Sequence, residues 1–65
     1  MSKIRPKIEA FLKENDDKAF TTKEISEALN ENRSTVNRIL IDLEDEGLVM
    51  RRVYKNLIRN AWIGD

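Results

Sequence analysis

The feature that most constrains this 65-residue chain is a change of period at Gly47. Upstream of it, apolar residues recur at helical spacing. Downstream, Leu48 to Tyr54 alternates and is rich in β-formers. A helical stripe buries every third or fourth residue, whereas a strand face buries every second. A chain that switches once, near its end, is built as helices closed by a hairpin.

The helical part divides into three. Ile4, Ile8, Phe11 and Leu12 form one apolar stripe, so a first helix is expected from Lys3 to Glu14. Pro6 falls in its first turn, where a missing N–H costs nothing. Asn15-Asp16-Asp17 ends it with turn-forming side chains. Ala19-Phe20-Thr21 reads as a short extended piece that adds a third strand at a sheet edge. Thr21 and Glu24 then form a capping box, opening a second helix that runs to Leu29 with Ile25, Ala28 and Leu29 inward. Asn30-Glu31-Asn32 is a tight polar turn, and Asn30 suits a left-handed conformation. The third helix spans Asn32 to Glu46, with Val36, Ile39, Leu40 and Leu43 inward and Gly47 as its left-handed terminus. After the first strand, Lys55-Asn56-Leu57 is the turn and Ile58 to Ile63 the return strand. Trp62 is expected to lid the core, and Met50 and Tyr54 to pack.

Two helices joined by a three-residue turn, the second running into glycine and a hairpin, make an α+β winged helix-turn-helix layout. Residues 1–65 are read as one such domain. A chain this short buries only roughly 60% of the surface its unfolded form exposes, which leaves little room for an enclosed active site. It has no cysteine and no histidine. Disulfides, the usual zinc sets and Ser-His or Cys-His catalysis are therefore excluded. Gly47 and Gly64 are the only glycines, so no glycine-rich phosphate loop exists. No enzyme, cofactor, metal or small-molecule substrate is expected. No apolar run exceeds three residues, as in Ile39-Leu40-Ile41, which cannot span a bilayer, and Met1 to Pro6 shows no secretory leader. A soluble cytoplasmic protein is the expectation.

The net charge is zero, with 12 basic and 12 acidic residues, but the charges come in blocks. Residues 33–41 hold only Arg33 and Arg38. Residues 42–46 hold Asp42, Glu44, Asp45 and Glu46. Residues 47–64 hold only Arg51, Arg52, Lys55 and Arg59. A neutral chain still presents a basic face if such blocks fold to one side. At 100° per residue, Ser34, Asn37, Arg38, Ile41 and Asp45 share the outward face of the third helix, flanked by Arg33. The helix N-terminus, with Arg33, Ser34 and Thr35, favours phosphate. One turn on, Arg38 suits guanine and Asn37 adenine in bidentate geometry. Ile41 fits a thymine methyl or a protein partner. Arg51, Arg52, Lys55 and Arg59 would meet the flanking backbone or minor groove.

The stretches Phe20 to Leu29 and Arg33 to Val49 look like the two halves of a helix-turn-helix. The second is similar to MarR-like bacterial and archaeal regulators, in which a Ser-Thr-Val pattern precedes a Leu-containing helix and a Gly-Leu-Val exit. That resemblance implies a winged helix that binds double-stranded DNA as a transcriptional regulator. A narrower resemblance joins Ser34-Thr35-Val36-Asn37-Arg38 and Trp62 to the Zα domains, which bind left-handed duplexes. It implies phosphate contacts from Arg33, Asn37, Arg38 and Trp62. The chain departs from that pattern with Ile41 in place of a tyrosine and Arg59-Asn60-Ala61 in place of a proline pair.

The leading expectation is duplex DNA binding, as a dimer or tandem, because one module gives a small interface. A protein-docking winged helix is the alternative, supported by zero net charge and by Ile41 beside an acidic helix end. Z-form binding is the third. In the bland reading Arg33 and Arg38 pair with Glu31 or Asp42 along the helix. The discriminating observation is whether Arg33, Arg38, Arg51, Arg52 and Arg59 share a face.

Overall fold

A computed structural model describes residues 3–64. The elements are α1 (Ile4–Glu14), β1 (Phe20–Thr21), α2 (Thr22–Leu29), α3 (Arg33–Asp45), β2 (Val49–Tyr54) and β3 (Leu57–Trp62). The three strands form one antiparallel sheet in the order β1-β3-β2. The fold is a winged helix-turn-helix, three helices followed by an antiparallel hairpin.

The helix ends follow from local chemistry. Thr21 Oγ1 accepts from the Glu24 amide at 3.1 Å, and Glu24 Oε1 accepts from the Thr21 amide at 2.8 Å, completing the capping box. Asn30, with φ of 55°, turns the chain out of α2 while the Glu31 amide reaches back to Ser26 O. Asn32 Oδ1 caps α3, accepting from the amides of Ser34 and Thr35 at 2.8 and 3.3 Å. Gly47, at φ of 80°, ends α3 with two closing bonds, Gly47 N to Glu44 O and Leu48 N to Leu43 O. This is the Schellman arrangement, and a left-handed residue is what allows it.

The core is Ile8 and Leu12 of α1, Ile25 of α2, Val36, Leu40 and Leu43 of α3, Val49 of β2 and Trp62 of β3. Trp62 is 7% exposed, so it closes the core as expected. Phe11 and Phe20 pack beside it with ring centroids 4.9 Å apart. Three details differ from the sequence reading. Ala28 is exposed and Ser26 takes the inward place. Its hydroxyl donates to Lys23 O at 2.9 Å, so its burial leaves no donor unsatisfied. The hairpin turn is two residues, not three. Lys55 and Asn56 both have positive φ, 51° and 67°, and Leu57 pairs with Tyr54. Positive φ at both central residues is the type I′ pattern, whose twist matches that of the strands. Finally, Met50 and Tyr54 are exposed rather than packed.

That last difference comes from the register. Tyr54 faces Leu57, Arg52 faces Arg59 and Met50 faces Ala61 on the outer side of the sheet. Val49 and Trp62, and Arg51 and Asn60, face each other on the inner side, toward the helices. The hairpin projects past the core, so even Val53, on the inner side, is 72% exposed.

Candidate nucleic-acid interface

The third helix and the wing carry the residues that sequence reasoning singles out. Arg33, Ser34 and Arg38 are exposed on α3, and Thr35 is half-buried. Among the described residues the ion pairs are Arg5–Glu9, Arg5–Glu46 and Lys7–Glu31. Glu31 is thus taken by Lys7 of α1, and Arg38 makes no ion pair with Asp42. The bland reading of Arg33 and Arg38 is not what the fold adopts. Both residues are exposed, and among the described residues neither guanidinium pairs with a carboxylate.

The helix N-terminus has less to offer an anion than expected. Two of its first amides, those of Ser34 and Thr35, already donate to Asn32 Oδ1. The side chains of this turn, more than its backbone, are what remains available.

Asn37 is half-buried rather than outward. Its Oδ1 accepts from Arg51 Nη2 at 2.9 Å and from the Thr22 hydroxyl at 3.4 Å. The start of α2 and strand β2 close over that flank of α3, which a helical wheel does not show. Ile41 is 47% exposed and borders a shallow hollow with Asp42, Glu44 and Asp45. It therefore belongs with the acidic half of the helix.

The four wing cations do not share one face. Arg51 points inward to Asn37. Arg52 and Arg59 stand opposite each other on the outer face, and Arg52 Nε contacts Met50 Sδ at 3.2 Å. Like charges directly opposed across strands are unfavourable. Lys55 sits at the tip, its Nζ 5.4 Å from the Tyr54 ring centroid. Arg59 also borders the open hollow between the start of α2, the start of α3 and β3, whose lining includes the cations Lys23 and Arg33, the hydroxyls of Thr21 and Thr22, and the carboxylates Glu24 and Glu27. Thr22 and Lys23 were missed by the sequence reading. Their signal was present, because the capping box places them in the first turn of the leading helix of the pair.

The acidic end of α3 is partly compensated. Arg5 clasps Glu46 through two hydrogen bonds, Nη1 to Oε2 at 2.8 Å and Nη2 to Oε1 at 2.6 Å. The Arg5 guanidinium holds the Glu46 carboxyl below the usual carboxylate range, and the arginine's own pKa is raised. This offsets one of the four carboxylates that oppose the helix dipole. The bond also fastens α1 to the end of α3.

No helix among the described residues is long and apolar enough to cross a membrane. A family profile described as sugar-specific transcriptional regulator TrmB matches residues 10–60, which run from within α1 to within β3. No curated protein and no solved structure matches the chain. The likeness to MarR-like regulators therefore holds for the winged-helix regulator class, and the family itself is a different one. The match covers 51 of the 65 residues and includes both helices of the helix-turn-helix and most of the wing. The chain belongs to the TrmB family of transcriptional regulators, and it binds DNA through its winged helix-turn-helix rather than acting as an enzyme.

Proposed function

We propose that α3 lies in the major groove and reads base edges from its first turns, with the wing on the flanking backbone. One observation carries this reading: Arg33 and Arg38 are exposed on α3 and, among the described residues, make no ion pair, although Glu31 and Asp42 are near in sequence. Arg38 is the base reader, by bidentate contact with guanine. Arg33 and Arg59, with Lys23 between the helix starts, meet phosphates, and Ser34 and Thr35 add hydroxyl contacts. Lys55 at the tip and Arg52 beside it touch the adjacent backbone. Ile41 lies at the limit of the footprint, because the carboxylates around it repel phosphate.

One such module gives an interface of ~600–1,000 Å², so two copies on one site are expected. The working compartment is the cytoplasm, with the DNA. The decisive experiment is selection of binding sites from random duplexes, with Arg38→Ala as the control. Absence of duplex binding even at low salt would remove the reading.

A second reading, docking of a protein partner, is favoured by the outer sheet face and by Arg51 turning away from Arg52 and Arg59, so that the five arginines do not share one face. Met50, Tyr54 and Leu57 are exposed there around Arg52 and Arg59. A duplex complex that is insensitive to Arg33→Ala and Arg38→Ala would favour it. The Z-form reading has less support. Trp62 is buried, and Asn37 is occupied by Arg51 and Thr22. Failure to invert the circular dichroism of an alternating CG duplex dismisses it.

A further inference from the structure

Sequence reasoning gives Asn37 and Arg51 separate contacts with a duplex. The structure joins them. Arg51 Nη2 donates to Asn37 Oδ1 at 2.9 Å, and the Thr22 hydroxyl donates to the same oxygen at 3.4 Å. The start of α2, the second turn of α3 and the inner face of β2 therefore converge on one amide oxygen. Bidentate recognition of adenine needs an asparagine oxygen to accept while its nitrogen donates. With Oδ1 already engaged by a cation, Asn37 has only Nδ2 to offer.

Arg51 is in an unusual state. It is half-buried, and its Nε is enclosed without an acceptor. Among the described residues no carboxylate pairs with it. A partly desolvated cation without a counter-ion is costly and gains most from an arriving anion. Next to the exposed face of α3, the anion that arrives is a backbone phosphate.

The geometry points to Asn37 as a positioning residue: its carboxamide holds the Arg51 guanidinium ready for a phosphate and reads no base itself. This rests on the reading of α3 and the wing as the duplex interface. The clasp also fixes the wing against the recognition helix before DNA arrives, which lowers the ordering cost of binding. Thr22 steadies the amide from the α2 side.

The test is a double-mutant cycle with Asn37→Ala, Arg51→Met and the double variant. Each is titrated by fluorescence anisotropy against a short duplex of mixed sequence at several salt concentrations, with melting temperatures measured alongside. Each single variant is expected to weaken binding on the order of tenfold. The double variant is expected to bind no worse than Arg51→Met, because the asparagine acts only through the arginine. The log–log salt slope should become shallower by about 0.9 in all three, the loss of one phosphate contact. Arg38→Ala, an independent contact, should instead add its full effect to either variant.

Additive losses from Asn37→Ala and Arg51→Met would mean two separate contacts and overturn the proposal. An unchanged slope in Arg51→Met would overturn it equally. If the alanine variant melts too low to assay, Asn37→Asp takes its place. It keeps the acceptor but neutralises the cation, so the slope must still become shallower, and an unchanged slope overturns the proposal. A wild-type protein that binds no duplex removes the underlying reading as well. A wild type that binds, with additive variants, overturns the clasp alone.

Discussion

Lys55 is the residue whose replacement best separates stability from binding. It occupies the first position of a type I′ turn with φ of 51°. A left-handed conformation costs an L-residue with a β-carbon roughly 1–2 kcal/mol, which Lys55→Gly would recover. Two terms oppose that gain. Glycine loses more backbone freedom on folding, about 0.5–1 kcal/mol. The Lys55–Tyr54 cation–π contact, at 5.4 Å and exposed, is lost at ~0.5–1 kcal/mol. The terms nearly cancel, leaving a net change of about 1 kcal/mol or less in either direction. For a domain of this size that moves the melting temperature by no more than ~8 °C.

Binding is predicted to change more clearly. Each phosphate contact adds about 0.9 to the salt slope, so a fourfold rise in salt weakens it by roughly 3.5-fold. The Lys55→Gly variant should therefore melt near the wild type and bind duplex with a slope shallower by about 0.9. Scanning calorimetry and a salt series of anisotropy titrations measure both. A slope equal to the wild type would refute the placement of the wing tip on the backbone. A drop in melting temperature beyond that range would refute the cancellation of turn strain against the two losses.

Three further outcomes follow from the same geometry. Leu40 is fully buried at the centre of α3, so Leu40→Ala should cost about 2–5 kcal/mol. A domain of this size has only ~3–10 kcal/mol in all, so urea denaturation should show a variant at the edge of unfolding. The Glu46 carboxyl has a lowered pKa in the folded state because of Arg5. Its stabilising contribution is then full above the ordinary glutamate value and is lost as pH falls through the lower folded value. Glu46→Gln should flatten that acid limb of the melting-temperature profile, and an unaltered limb would show that the pair contributes nothing. Arg38→Ala should reduce discrimination at one base position by ~1–3 kcal/mol, as read by site selection, while Arg33→Ala weakens all sequences alike.

Much of this fold was legible because its signals are local. The capping box at Thr21 and Glu24, the left-handed Asn30 and the glycine exit at Gly47 all appear where the sequence places them. Such motifs depend on residues within a turn of each other. The candidate site was less legible. A helical wheel puts Asn37 outward, but β2 and the start of α2 cover that flank. Wing orientation was hidden for a related reason. A two-residue turn pairs Arg52 with Arg59 and Arg51 with Asn60, and a slip of one residue would exchange their faces.

By itself, the sequence determined the order of elements, the helical stripes from Ile8 to Leu43, and the helix-turn-helix with its hairpin. It could do so because hydrophobic period is a property of neighbouring residues. The tertiary structure alone decided which charges are free. Glu31 is taken by Lys7, Glu46 by Arg5 and Asn37 by Arg51, while Arg33 and Arg38 make no ion pair among the described residues. Those pairings join residues 14 to 41 positions apart. Only the packing of α1 and the wing against the helix pair brings them within hydrogen-bonding reach.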